Sequence, residues 1–155
     1  LYTEALAMLS QLDDRREAAV TRQVLGILAR QQGQLEEAQQ LLIEALATTR
    51  QIKDRQNVAH ALKELGFLMQ QEGRFEQALH VLLSAGVGLA LVNSPDTSIV
   101  KERIEQLRTQ PGEDAFLSTT RRTATEAPEP AYGLDQAAWD ASIQKLVKQA
   151  IPSKT

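Results

Sequence analysis

The chain has 155 residues, of which 43% are hydrophobic, 24% charged and 4% aromatic, and its formal charge is −3. That length suits one domain or a short array of repeats, and that charge excludes a global basic field for nucleic acid or anionic lipid. Cysteine is absent, which removes disulfides, thiolate zinc sites and cysteine nucleophiles together and fits a cytoplasmic protein.

Ala, Leu, Gln and Glu dominate, and these residues lose little rotamer freedom in a helix, so the fold class is read as all-α. A sheet protein of this size would want more Val, Ile, Tyr and Phe. Leu1 opens inside a helical pattern, so the chain reads as a piece of a longer one. Residues 2–11 read as the second helix of a truncated repeat. Two full repeats follow at about 14–52 and 54–92.

The repeat is explicit. Leu25-Gly26-Ile27-Leu28 precedes Gly33-Gln34-Leu35-Glu36-Glu37-Ala38, and Leu65-Gly66-Phe67-Leu68 precedes Gly73-Arg74-Phe75-Glu76-Gln77-Ala78, each position offset by 40. Nine of 22 residues are identical between 25–46 and 65–86. Glu4-Ala5-Leu6-Ala7 likewise matches Glu44-Ala45-Leu46-Ala47. Each unit predicts a helical hairpin. Leu25, Leu28 and Ala29 share a face, as do Leu62, Leu65 and Met69. Gly33 and Gly73 end these first helices, and return helices carry Ala38, Leu42 and Ala45, or Ala78, Leu82 and Ala85. Gly26 and Gly66 sit mid-helix at a cost of roughly 1 kcal/mol against Ala, which makes sense where another helix packs on them.

The apolar run from Leu79 to Val92 is interrupted by His80, Ser84, Gly86 and Gly88. It is too short to span a bilayer and reads as a buried helix whose glycines admit a close neighbour. Gly86 and Gly88 lack the third glycine of a dinucleotide fingerprint, and no phosphate-binding Gly-Lys-Ser/Thr is present.

Asn93-Ser94-Pro95-Asp96 is a turn, Ile99 to Arg108 a third first-helix, and Glu113 to Thr120 a short helix; 96–120 is expected to be a degenerate cap of an array covering 1–120. Residues 121–133, with two prolines and small polar residues, read as a linker. Within them, Arg121-Arg122-Thr123 has the form of a basophilic phosphorylation site, although a solvated charge pair is the default reading. Asp135 caps a final amphipathic helix within 134–151, whose apolar face carries Trp139, Ile143, Leu146 and Val147. That helix is expected to dock on the array, at its C-terminal end in preference to its groove.

The Leu-Gly pair and the steps of 12, 16 and 19 from Gly26 to Ala38, Leu42 and Ala45 resemble the tetratricopeptide repeat. The 40-residue period resembles its longer subtype with extended helices. The resemblance implies an α-α superhelix of hairpins and a non-enzymatic protein–protein interaction module, without cofactor or metal. It also implies a concave groove lined by the first helix of each hairpin. Its residues here are Gln23, Ile27, Arg30 and Gln31, then His60, Lys63, Phe67 and Gln70, with Arg103 from the cap. Arg30, Lys63 and Arg103 make a basic floor beside the apolar Ile27 and Phe67, suited to an acidic peptide with a hydrophobic anchor. Where the family's carboxylate clamp has Asn, this chain has Ile27 and Phe67, so the clamp itself is not expected.

Residues 94–117 further resemble the end of the sensor array in bacterial STAND-type signalling ATPases, which implies a sensor role in a parent protein. A structural oligomerisation element is the other alternative, because array ends expose apolar surface. His60 and His80 fall on different helices of one hairpin; His60 and Glu64, four apart, read as a surface pair, and no further residues at ligand spacing accompany either histidine.

Overall fold

A computed structural model describes residues 2–151, with side chains except those of residues 2, 3, 5, 6, 9 and 10. The described residues form helices and no strand: α1 (Tyr2–Gln31), α2 (Leu35–Gln51), α3 (Arg55–Gln71), α4 (Phe75–Leu91), α5 (Thr97–Thr109), α6 (Glu113–Thr125), a 3₁₀ turn at Pro130–Tyr132 and α7 (Gln136–Ala150). Consecutive helices pack as hairpins α1–α2 and α3–α4, stacked through α2 against α3, and the stack continues through α4 onto α5. The arrangement is an α-α superhelix of the kind the repeat implies.

Four turns repeat one device. Gly33, Lys53, Gly73 and Asn93 are left-handed, with φ of 80°, 57°, 79° and 54°. After each, two backbone bonds close the preceding helix, as in Gly33 N to the Arg30 carbonyl at 3.0 Å and Gln34 N to the Ala29 carbonyl at 2.8 Å. Lys53 N and Asp54 N repeat this pair on Arg50 and Thr49 at 3.1 and 2.9 Å. These bonds satisfy carbonyls that the helix end leaves open. Asp54 then caps α3, its carboxylate accepting from Asn57 N at 3.2 Å and Asn57 Nδ2 at 2.7 Å.

The first repeat departs from expectation. Asp13 aligns with Lys53, yet α1 runs unbroken through it for 30 residues. Residues 2–11 are therefore not a separate second helix but the N-terminal arm of α1. A break would need a left-handed Asp13, costing about 1–2 kcal/mol, whereas continuing the helix adds a hydrogen bond per residue.

The core centres on α4, where residues 82–89 are all buried. Its glycines admit neighbours as the sequence implied. A Cβ on Gly86 would come within 2.5 Å of Leu146 Cδ2, and one on Gly88 would collide with the Tyr132 ring. Gly66 is similarly packed by Leu82.

Two expectations for the C-terminal third are corrected. The cap is a full hairpin, α5–α6, with α6 reaching Thr125 rather than Thr120. Arg121, Arg122 and Thr123 lie inside that helix, and Thr123 is fully buried, so no flexible phosphorylation site exists there. Nor is 126–133 a flexible linker. It is a strap that returns across the array: Glu129 is 7% exposed and takes two bonds from Arg50, at 2.9 Å from Nε and 2.6 Å from Nη2. Tyr132 is 1% exposed and donates to the Ser84 carbonyl at 2.9 Å. Composition alone suggested a linker because these partners lie 79 and 48 residues away.

Helix α7 docks on α5, α6 and α4, at the C-terminal end of the array. Trp139, Ile143 and Leu146 are buried there, and Val147 packs on the same core. Trp139 Nε1 donates to the Thr123 carbonyl at 2.8 Å, so the buried indole keeps its hydrogen bond.

Candidate functional site

Among the residues singled out for the groove, α1, α3 and α5 bring together Arg30, Lys63, Phe67, Gln70 and Arg103. The Phe67 ring is the centre. Arg103 lies 4.3 Å from its centroid, Arg30 5.9 Å and Lys63 6.0 Å. Each distance is within cation–π range, where the negative face of the ring attracts the charge. Phe67 is only 5% exposed. This corrects its expected role as an apolar anchor for a ligand: the cations cover the ring. Half-buried Ile27 is the apolar groove residue that retains an open side.

Glu64 is the residue that sequence reasoning misassigned. It is 6% exposed and sits beneath the cluster, 3.3 Å from Arg30 Nη2 and 3.4 Å from Lys63 Nζ. A buried carboxylate needs such partners, since an unpaired one would be expelled or neutralised. His60 does not pair with Glu64; its Nδ1 lies 3.6 Å from Asp96 Oδ2, which also takes Lys63 Nζ at 3.2 Å. The signal for Glu64 was present in the aligned position of α1, where Val24 stands 40 residues earlier. A charge replacing an apolar residue in a repeat marks a site with a local partner.

The floor therefore carries three cations and two carboxylates. Arg103 Nη1 donates to Gln70 Oε1 at 3.0 Å, and Gln70 Nε2 in turn donates to Gln106 Oε1 at 3.3 Å. Both neighbours of the Arg103 guanidinium, the amide and the ring, are neutral. On the same side of α1, Gln23 Oε1 and Arg30 Nε are buried without a hydrogen-bond partner. Gln31, the remaining groove residue, is exposed.

The histidines lie on separate helices. Burial holds the His60 imidazole below its usual value, and the nearby Lys63 adds to this against Asp96 and Glu64. Burial likewise lowers His80, against the pull of Glu126. His80 Nδ1 is 2.8 Å from Thr123 Oγ1, whose hydroxyl donates to the Thr119 carbonyl at 2.9 Å. His80 Nε2 lies 3.8 Å from Glu126 Oε2 on the other side of the ring. Among the described residues no group of three His, Asp or Glu side chains is placed to hold a metal ion. No helix among them is long and apolar enough to cross a membrane.

Searches of curated proteins and of solved structures returned no match. Residues 16–85 match the family model of the tetratricopeptide repeat. The matched stretch begins within α1, beyond its arm, and ends within α4, so it contains α2 and α3 whole and parts of α1 and α4, with Arg30, Lys63, Glu64 and Phe67. Repeats of this family generally serve as protein–protein interaction modules, and over residues 16–85 the chain is similar to them.

Proposed function

We propose that this chain is a non-enzymatic interaction module that binds an acidic segment of a partner protein along the concave face of α1, α3 and α5. The observation that carries the reading is the cation cluster around Phe67, gathered from three successive first-helices in a protein of net negative charge. A partner carboxylate would take Arg103 first, because that guanidinium has neutral neighbours and gives up no ion pair to bind.

The test is titration of a short acidic peptide followed by isothermal calorimetry and by NMR shifts. Binding is expected at the Arg103, Gln70 and Lys63 resonances, weakening as salt rises. Charge reversal by R103E should weaken it about tenfold or more, as expected where a like charge faces the ligand. Unchanged affinity in R103E would refute concave-face recognition. The resemblance of residues 94–117 to STAND-type sensor arrays favours a second reading, in which the same face senses a partner for a signalling ATPase. A nucleotide-binding motif preceding this stretch in the parent sequence would support it.

A further inference from the structure

Moved on by one repeat, the junction of α2 and α3 becomes the junction of α4 and α5. The left-handed turn residues Lys53 and Asn93 align at 40 residues. Within α5 the register is 39, since the fully buried Val100, Ile104 and Leu107 stand where α3 buries Ala61, Leu65 and Leu68. Gly86 then corresponds to Leu46, Ala90 to Arg50 and Lys101 to Leu62.

At the first junction, Arg50 and Leu62 line a cavity that the strap enters. The strap sets the Glu129 carboxylate on Arg50 at 2.6 and 2.9 Å, and Pro130 and Trp139 line the same space with apolar surface. At the second junction, Ala90 and Lys101 line a cavity of about 480 Å³, bounded on its other side by α7. Gly86, in place of Leu46, lets Leu146 of α7 reach the floor, where Val87 adds apolar surface.

The cations have changed sides between the two junctions. Arg50 has given way to Ala90, while Lys101 replaces an apolar residue and α7 contributes Lys145. No Asp or Glu of the described residues lines this cavity. Among the described residues, neither lysine has an ion pair or a hydrogen bond. Ser142 and Gln149, which share the cavity face of α7 with Lys145, are likewise without a partner there. Two ammonium groups at one cavity repel each other, and an anion between them removes that repulsion.

We propose that this cavity binds a small organic carboxylate with an apolar body. The carboxylate takes Lys101 and Lys145, as Glu129 takes Arg50 one repeat earlier, and the apolar body rests on Val87 and Leu146. The volume lies in the range of small-molecule sites, and the lining has their character of an apolar floor with a few polar groups. The site is separate from the concave face, because Lys101 and Arg103 are two residues apart on α5 and point to different sides. Its ligand would tie α5 to α7.

The test is NMR titration with three probes: phenylacetate, inorganic phosphate and 2-phenylethanol. Phenylacetate should shift the Lys101, Ser142 and Lys145 resonances and saturate at about millimolar concentration, as suits a ligand of about ten non-hydrogen atoms. Phosphate lacks the body and 2-phenylethanol the charge, so each should bind at least about tenfold more weakly. K101E and K145E should each weaken phenylacetate about tenfold or more, whereas K148E, on exposed α7 surface outside the cavity, should not. Lys101 is half-buried and Lys145 exposed, and neither gives up a partner, so both variants should fold. A90F places a ring at an exposed position of the lining and should block phenylacetate with both charges intact. Saturating phenylacetate should also raise Tm, since it binds only the folded chain. R103E should leave phenylacetate binding unchanged, which separates this site from concave-face recognition. Absence of a saturable shift in the millimolar range would overturn the proposal. Binding that survives K101E and K145E, or phosphate that binds as tightly as phenylacetate, would overturn it equally.

Discussion

Tyr132 joins the strap to the core of the array through one hydroxyl, one ring and one missing side chain. Its hydroxyl donates to Ser84, its ring lies 6.3 Å from that of Trp139, and Gly88 leaves the space it fills. Burial, with Glu129 nearby, pushes the phenol well above its ordinary value, so it stays neutral and remains a donor at all moderate pH. Y132F should cost about 1 kcal/mol, the net worth of one buried hydrogen bond. G88A should cost more, roughly 1–3 kcal/mol, because the added methyl displaces the ring itself. Chemical denaturation of both variants checks the order, and a smaller loss in G88A than in Y132F would contradict this packing.

Helix α7 is held by its side chains at the element scale. Ile143 is fully buried and Leu146 fills the space over Gly86. I143A should lower stability by about 2–4 kcal/mol, as expected for a large-to-small change in a packed site. Trp139 is the single tryptophan and is 2% exposed, so its fluorescence reports docking directly. Wild-type emission should be blue-shifted and should move to the red in a single transition with loss of helix. A separate early red shift would show that α7 undocks before the array unfolds. The sequence already told that this helix must bury its stripe, since the periodicity of Trp139, Ile143 and Leu146 is local. Its landing place was less legible, because the receiving surface on α4, α5 and α6 is assembled from distant segments.

For the whole molecule, the titratable groups set a direction with pH. His60 and His80 are held below 6.5 by burial, so the unfolded chain takes up their protons first. Their contribution to stability is full above 6.5 and falls as pH drops through their lower folded values. Burial raises Asp54, but hydrogen bonds from Asn57 and Arg16 and the charge of Arg16 outweigh it and leave its carboxyl below 3.8. That contribution is full above 3.8 and is lost at more acid pH, as the folded carboxyl takes up its proton. Thermal melts should therefore show Tm falling in two stages, near neutrality to mild acid and again in strong acid. H80Q should reduce the first stage; an unchanged slope would mean that His80 titrates alike folded and unfolded.

The sequence by itself determined the helices, the period and the repeat, because each depends on residues a few positions apart or on a comparison of the chain with itself. Gly33 and Gly73 end helices by backbone geometry that needs no partner, and the Leu-Gly pairs predict a close neighbour wherever they occur. Tertiary structure decided the rest. It buried Phe67 under the cations once counted as its companions and drew Glu64 beneath them. It made 126–133 a packed strap through Arg50 and Ser84. In each case the outcome depends on a charge, a cavity or a covering helix contributed by a distant part of the chain, and no local pattern carries that information.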